Sequence, residues 1–162
     1  MQLRTATRSD ADAVWTLLEP VFRAGDTYAV HPDISREAAL SYWMDQPAAC
    51  YVALDAGQII GTYYIKTNQR GGGAHVCNCG YVVGQAARGQ GCAAQMCTAS
   101  QSQARKLGFS AMQFNFVLSS NAGAIRLWHK LGFDTVGTVP KAFHHPVLGM
   151  IDAHVMYKWL SD

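Results

Sequence analysis

Two glycines two residues apart, Gly89 and Gly91, stand where a strand-like segment gives way to a helix-like one. The apolar run ending at Val83 predicts a strand, and the apolar and small residues spaced by three and four up to Lys106 predict a helix. Glycine inside a helix costs about 1 kcal/mol relative to alanine, so the pair needs another reason. Unpaired N–H groups at a helix amino terminus attract anions, and glycine lets an oxyanion approach the backbone closely. The pattern predicts a phosphate-binding turn, with a plain loop–helix junction as the alternative.

The distribution of charge also indicates an anionic partner. The chain has a formal net charge of +2, yet no acidic residue occurs between Asp55 and Asp134. That span carries basic residues only: Lys66, Arg70, Arg88, Arg105, Lys106, Arg126 and Lys130. The charges are dispersed and form no basic run or DNA-reading motif, so we expect a small polyphosphate ligand and no nucleic acid.

Two common phosphate-binding motifs do not fit the glycines. A P-loop needs Gly-Lys followed by Ser or Thr, and no such triplet follows. Gly89-x-Gly91-x-x-Ala94 matches the dinucleotide motif, but that fold needs an acidic residue about 20 positions later for the ribose. The next acidic residue after Ala94 is Asp134, which excludes the dinucleotide interpretation.

Length and composition predict one globular domain over residues 1–162, since 49% of the residues are hydrophobic. No apolar window reaches the ~18 residues of a membrane span, and the first residues lack the apolar core of a secretory signal. We therefore expect a cytoplasmic protein with no membrane partner. The odd number of cysteines and the lack of zinc spacing predict reduced thiols and no metal site: Cys50, Cys77, Cys79, Cys92 and Cys97.

The order of elements along the chain is β-α-α-β-β-β-α-β-α-β-β, which predicts a single α/β domain with a mixed, twisted sheet of about seven strands and about four helices. Ser9 followed by Asp12 resembles a capping box at the start of the first helix, which Pro20 is expected to kink or shorten. The stretches TYAVHPDI and YWM supply aromatic residues that either line a ligand pocket or belong to the core.

Two motifs carry a resemblance to a known superfamily. The segment RGQGCA at residues 88–93 fits the R/Q-x-x-G-x-G/A motif of the GNAT N-acetyltransferases. The segment SSNAGAIRLWHKLGF at residues 119–133 resembles the later N-x-x-A-x-x-L-Y-x-K-x-G-F motif. Both lie in the expected order and separation, and the resemblance covers essentially the whole chain. It implies the GNAT fold and acetyl-CoA as cosubstrate.

The resemblance also implies which residues hold the coenzyme. The backbone of Tyr81, Val82 and Val83 would pair with the pantetheine arm, and Asn121 would hydrogen-bond the arm near its thiol end. The pyrophosphate would lie on the amides of Gly89, Gln90, Gly91, Cys92, Ala93 and Ala94, with Arg88 at the edge of the loop. The three phosphate groups of the coenzyme would account for the acid-free stretch.

Direct acetyl transfer needs a neutral amine and a hydrogen-bond donor for the thioester oxygen. The leaving thiolate must also either be protonated or leave as the anion. In this superfamily the donor is usually a backbone N–H where the sheet splays, here Val82 or a neighbour. Trp128 stands where the family usually has a tyrosine that acts as the proton donor. An indole N–H can donate a hydrogen bond but is no practical acid, and the alternative is that Trp128 is simply a packed aromatic residue of the helix. Water or the hydroxyl of Ser119 or Ser120 would then protonate the thiolate, or it leaves unprotonated.

No residue is named as the general base, so the catalytic residues stay unassigned. His75 on the third meander strand and His144 and His145 in the final hairpin loop are candidates, and surface or packing histidines are the alternative.

Two asparagines on adjacent predicted strands, Asn78 and Asn115, indicate the acceptor. Asparagine is depleted in strands and a buried amide needs partners, so each either bonds internally or binds a substrate carboxylate. With Asn121 and Trp128 they resemble a GNAT subset that acetylates azetidine-2-carboxylate and related proline analogues. We expect a small amine or amino acid as acceptor. A protein N-terminus or lysine is the alternative acceptor, and a non-catalytic acyl-CoA sensor is the alternative function. A homodimer is also compatible with the sequence.

Overall fold

The computed structural model describes residues 1–160. Its strands are β1 (Gln2–Thr5), β2 (Ala49–Asp55), β3 (Gln58–Thr67), β4 (Val76–Val83), β5 (Ala111–Leu118), β6 (Asp134–His145) and β7 (Gly149–Trp159). Its α-helices are α1 (Ala11–Ala24), α2 (Arg36–Leu40), α3 (Cys92–Lys106) and α4 (Ala122–Lys130), and a π-helical turn, Ser41–Asp45, follows α2. The strands form one mixed sheet in the order β1-β2-β3-β4-β5-β7-β6. The predicted element order and fold class are confirmed.

The two faces of the sheet carry separate apolar cores, because successive side chains of a strand point to opposite faces. On one face the sheet packs against α1, whose fully buried residues Val14, Leu18 and Phe22 recur every fourth position. On the other face it packs against α3 and α4, with Met96 and Trp128 in the buried cluster. The helices therefore cover both faces and leave the edges and ends of the strands for function.

The sheet splits between its two central strands. The parallel strands β4 and β5 pair only at Val76 with Ala111 and at Cys77 with Met112. Beyond those pairs the strands diverge, and the register of β5 against β7 is also irregular between Phe114 and Val117. A split of this kind leaves main-chain groups of β4 without a strand partner, which makes it a natural place for a ligand.

The start of the first helix differs from its prediction. The capping box joins Thr7 and Asp10 rather than Ser9 and Asp12, and the Thr7 N–H donates to Asp10 Oδ2 over 2.7 Å. Two hydrogen bonds from the Arg4 guanidinium hold the pKa of the Asp10 carboxyl well below its usual range. The helix also runs through Pro20 to Ala24 without ending there. The Arg4–Asp10 ion pair, six positions apart, stabilises this cap, and the spacing of Ser9 and Asp12 did not indicate it.

Candidate functional site

The amino terminus of α3 is an open cradle of main-chain N–H groups. Gly89 and Gly91 have φ angles of +74° and +79°, left-handed values that disfavour any other residue. A Cβ added at either glycine would meet nothing within 4 Å, so a ligand can approach the backbone there. The first main-chain bond into the helix runs from Gln95 N to Gly91 O, so the N–H groups of Cys92 and Ala93 at the start of α3 have no partner within it. The cradle fits the predicted pyrophosphate.

Side chains add little to this cradle. Arg88 is exposed at its edge, and the Gln90 amide donates to Ala86 O over 2.8 Å. The Cys92 side chain is buried, and burial raises the pKa of its thiol, so the thiol stays protonated at neutral pH. The groups that the cradle presents to a ligand are therefore mainly backbone N–H groups.

A cavity of about 520 Å³, here called the larger cavity, adjoins the cradle. Its walls come from the end of α1, the end of β4, the loop before α4 and the β6–β7 turn. It brings together five of the residues predicted to hold the coenzyme: Tyr81, Val82, Val83, Arg88 and Asn121. The volume and the adjoining N–H groups fit an extended phosphate-bearing ligand.

The register of β4 decides which of its amides can face a ligand. Gly84 N bonds to Ile60 O over 2.8 Å and Asn68 N bonds to Val76 O over 2.9 Å, so these ends of β4 face β3. Main-chain direction alternates along an antiparallel pair, so Val82 faces β3 as well. Its N–H is engaged in the sheet, so of the expected oxyanion donors, Val82 or a neighbour, the register favours a neighbour.

The neighbouring residue, Tyr81, has its main chain turned toward the split. The Tyr28 hydroxyl bonds both main-chain groups of Tyr81: it donates to Tyr81 O and accepts from Tyr81 N, both over 2.9 Å. The Tyr28 ring is held edge-on against Phe22 and Trp43, with centroids 5.8 and 5.6 Å away. Burial raises the pKa of this hydroxyl well above its usual value, so it remains a donor at neutral pH. Tyr28 thus replaces the missing strand partner.

A second cavity of about 250 Å³, here called the smaller cavity, lies in the split between β4 and β5. It shares Thr27, Tyr28, Tyr81 and Asn121 with the larger cavity, so the two adjoin. Of the aromatic residues that the sequence offered as pocket walls, Tyr28 and Tyr42 line it, whereas Trp43 is fully buried core.

The structure brings the two predicted asparagines to this smaller cavity. Asn78 Oδ1 accepts from the Tyr64 hydroxyl over 3.2 Å, and its Nδ2 donates to Gln113 O over 2.9 Å. Asn115 Oδ1 accepts from Gln113 Nε2 over 2.9 Å, and its Nδ2 donates to Asn68 Oδ1 over 2.7 Å. Each amide oxygen is already engaged, and each NH₂ group keeps one hydrogen. Internal bonding therefore orients both amides as donors.

Trp128 and Asn121 border the same space from α4. The Trp128 ring is 8% exposed and packs on Tyr81 and Phe114, with centroids 5.2 and 5.0 Å away. Asn121 caps α4 by accepting from Ala124 N over 3.2 Å, which leaves its NH₂ group outside the cap, and the residue lines both cavities. Trp128 is thus a packed aromatic that also forms part of the cavity wall.

The three histidines offered as base candidates lie away from the smaller cavity. His75 is exposed and precedes β4 instead of lying on it, and it lines neither cavity. His144 and His145 belong to the end of β6 rather than to the hairpin loop, and only His145 lines the larger cavity. Sequence reasoning missed Asp26, a carboxylate on that larger cavity, because the loop that carries it has no motif.

All five cysteines are buried, and within residues 1–160 none is joined in a disulfide. Within residues 1–160 no group of three His, Cys, Asp or Glu side chains is arranged to hold a metal ion. Over the same residues, no helix has the length and apolar character needed to cross a bilayer.

Comparison with known proteins defines the class. The profile of the acetyltransferase (GNAT) family matches residues 11–133, and the chain belongs to this family. The family acts with acetyl-CoA, so the predicted enzyme class and cosubstrate are confirmed.

Individual relatives agree with that assignment. A GCN5-related N-acetyltransferase from Kribbella flavida is 39% identical, with a TM-score of 0.92 over 98% of this chain and 96% of that one. The phosphinothricin acetyltransferase (Pat) of Sinorhizobium meliloti, solved with acetyl-CoA, has a TM-score of 0.87 at 21% identity over 99% of this chain and 88% of its own, which shows a shared fold. N-acetyltransferase aca1 of Schizosaccharomyces pombe is 34% identical over 84 residues, 52% of this chain and 40% of that protein.

Proposed function

We propose that this chain transfers the acetyl group of acetyl-CoA to the amine of a small amino acid or a related proline analogue. The observation that carries the proposal is the adjacency of two cavities with different chemistry. One adjoins a main-chain anion cradle, and the other presents two oriented amide donors. Tyr28 and Tyr81 lie at their junction, where the two substrates would meet.

The coenzyme would occupy the larger cavity. The amides of residues 89–94 would bind its pyrophosphate, Arg88 would add charge at the edge, and Asn121 would donate to the pantetheine arm. On β4, Val83 and Tyr81 alternate with Val82 in main-chain direction, so these two residues are the ones able to pair with the arm.

Bound acetyl-CoA supplies an activated thioester carbonyl, and the chain must stabilise charge on its oxygen. The Tyr81 N–H is the main-chain donor at the split, and Tyr28 holds it in place until a ligand arrives. Water takes one proton from the acceptor ammonium, and the neutral amine nitrogen forms the new bond to the carbonyl carbon. As the carbon–sulfur bond breaks, coenzyme A leaves as a thiolate that water protonates, and the nitrogen loses its second proton to water. Trp128 has no acid role in this scheme.

The size of the smaller cavity supports a small acceptor over a protein segment. Its volume, about 250 Å³, is below the 300–1,000 Å³ typical of drug-sized ligand pockets. The donors of Asn78 and Asn115 match the carboxylate of an amino acid. The runner-up is an acyl-CoA sensor, favoured by the lack of a carboxylate or imidazole among the described residues that line this cavity.

Thiol release from acetyl-CoA over a panel of amino acids, their decarboxylated amines and peptide N-termini tests the proposal. We expect release with small amino acids, and Asn115→Ala should raise KM for an amino acid about tenfold while changing KM for the matched amine far less. Equal effects on the KM of both acceptors would contradict the proposed binding of the acceptor carboxylate by Asn115. Binding of acetyl-CoA without release for any acceptor would favour the sensor.

A further inference from the structure

We propose that Lys66 selects the acceptor by charge, its ammonium binding the acceptor carboxylate between Asn78 and Asn115. The inference rests on the proposed function and extends it to a residue that carries no motif. Lys66 is the only charged residue among the described residues that line the smaller cavity. Its place in the acid-free stretch suggested a phosphate ligand, but the structure puts it in the split instead.

The position of Lys66 in the sheet brings it to the two asparagines. Tyr64 and Lys66 are two residues apart on β3 and so share one face of the strand, and Asn68, directly after the strand, continues the same spacing with its N–H bonded to Val76 O. Lys66 stands opposite Asn78 in the β3–β4 register, a separation of about 5 Å between Cβ atoms. Its neighbour Tyr64 bonds Asn78, and Asn68 bonds Asn115. Lys66 therefore lies at the centre of the network that orients both amides.

The Lys66 ammonium is available for a ligand. Among residues 1–160 it belongs to none of the ion pairs and donates no hydrogen bond to a protein group, unlike Lys158, which donates to Gln101 and Leu131 over 2.7 Å. Its Nζ lies 5.4 Å from the ring centroids of both Tyr42 and Tyr64, which holds the chain at the cavity by cation–π contact.

The hydrogens left for a ligand in this group are those on Asn78 Nδ2, Asn115 Nδ2 and the Lys66 ammonium. Each amide oxygen already accepts a hydrogen bond, and the Tyr64 hydroxyl, which burial keeps protonated by raising its pKa, donates its hydrogen to Asn78. A carboxylate satisfies such a set, whereas a second ammonium on the acceptor would face Lys66 with no counter-charge. The cavity is thus expected to accept amino acids and to reject diamines and lysine side chains.

Lys66→Met, Lys66→Arg and the exposed control Lys106→Met test this role with azetidine-2-carboxylate and azetidine, which differ only in the carboxylate. For Lys66→Met we expect KM for the acid to rise about 10-fold to 100-fold and KM for the amine to change less than about threefold. Lys66→Arg should recover most of the difference, and Lys106→Met, which removes the same charge outside both cavities, should change neither.

Calorimetric binding of the same two compounds, and of acetyl-CoA, gives the answer without turnover. The acid should lose affinity in Lys66→Met while the Kd of acetyl-CoA stays constant. Equal loss for acid and amine, or weaker acetyl-CoA binding, would overturn the role of Lys66. A third outcome separates the two proposals: the wild-type protein binds the acid, Lys66→Met does not, and neither releases thiol. That outcome would contradict the proposed acetyl transfer and support the charge selection by Lys66.

Discussion

The cradle at the start of α3 and the smaller cavity between β4 and β5, the two ligand sites proposed above, present different chemical groups to a ligand. The cradle presents main-chain N–H groups. Gly89 and Gly91 have no side chain, the Gln90 amide bonds Ala86 O, and the Cys92 side chain is buried. The smaller cavity presents side chains: its donors come from β3, β4, β5 and Asn121, the residue before α4. A main-chain site depends on one local conformation, whereas a side-chain site depends on how distant strands are placed.

This difference predicts different responses to mutation. Replacing a side chain in the cradle changes little unless it alters φ or fills the approach to the backbone. Replacing one in the smaller cavity changes specificity, because each donor is a separate group with its own orienting partner. The residues that border both cavities, Tyr28 above all, should affect both ligands.

The largest effect is expected from Gly91→Ala. A Cβ at a φ of +79° adds about 1 kcal/mol of backbone strain and occupies the approach to the N–H groups. Loss of one charge-assisted hydrogen bond or more should raise the Kd of acetyl-CoA about 10-fold to 100-fold by calorimetry, with acceptor binding unchanged.

Gly123→Ala is the matched control for that change, because Gly123 lies in the first turn of α4 with open space around it. It should stabilise the protein by about 0.5–1 kcal/mol and leave the Kd as it is. An unchanged Kd in Gly91→Ala would show that the cradle does not hold the coenzyme.

A smaller effect, on both cavities, is expected from Tyr28→Phe. Without the hydroxyl, Tyr81 N–H and C=O lose their partner, and unfolding should become easier by about 1–2 kcal/mol in thermal melts. Because the hydroxyl competes with the ligand for that N–H, acetyl-CoA should bind about threefold to tenfold more tightly. Tyr51→Phe removes the same atom from a buried ring outside both cavities and should leave Kd unchanged. Weaker coenzyme binding in Tyr28→Phe would instead make the hydroxyl a direct ligand contact.

The smallest effect on turnover is expected from Trp128→Phe. The ring packs between Tyr81 and Phe114, so its truncation should cost about 1–2 kcal/mol of stability but change kcat by less than about threefold. Steady-state kinetics beside a thermal melt separate the two effects. A collapse of kcat with coenzyme affinity intact would show that the indole takes part in the chemistry.

The predictions from sequence succeeded where one segment sufficed. The helix start with its left-handed glycines was readable from spacing alone, and Asn78 and Asn115 stood out because polar residues interrupt apolar strands. The sequence could not decide between Val82 and a neighbour as the main-chain donor, because the direction of an amide follows from the β3–β4 register. The prediction that His75 lies on the third meander strand was wrong, because that strand begins one residue later.

The amino-acid sequence by itself determined the order of strands and helices, the family and the left-handed glycine turn that begins α3, because glycine torsions and hydrophobic periodicity are local properties. Only the tertiary structure decided that Tyr28 reaches across 53 positions to hold Tyr81, and that Lys66 stands beside two asparagines. The physical reason is that the direction of a side chain or an amide in a sheet depends on which residue lies opposite it. That partner is chosen by the packing of the whole domain.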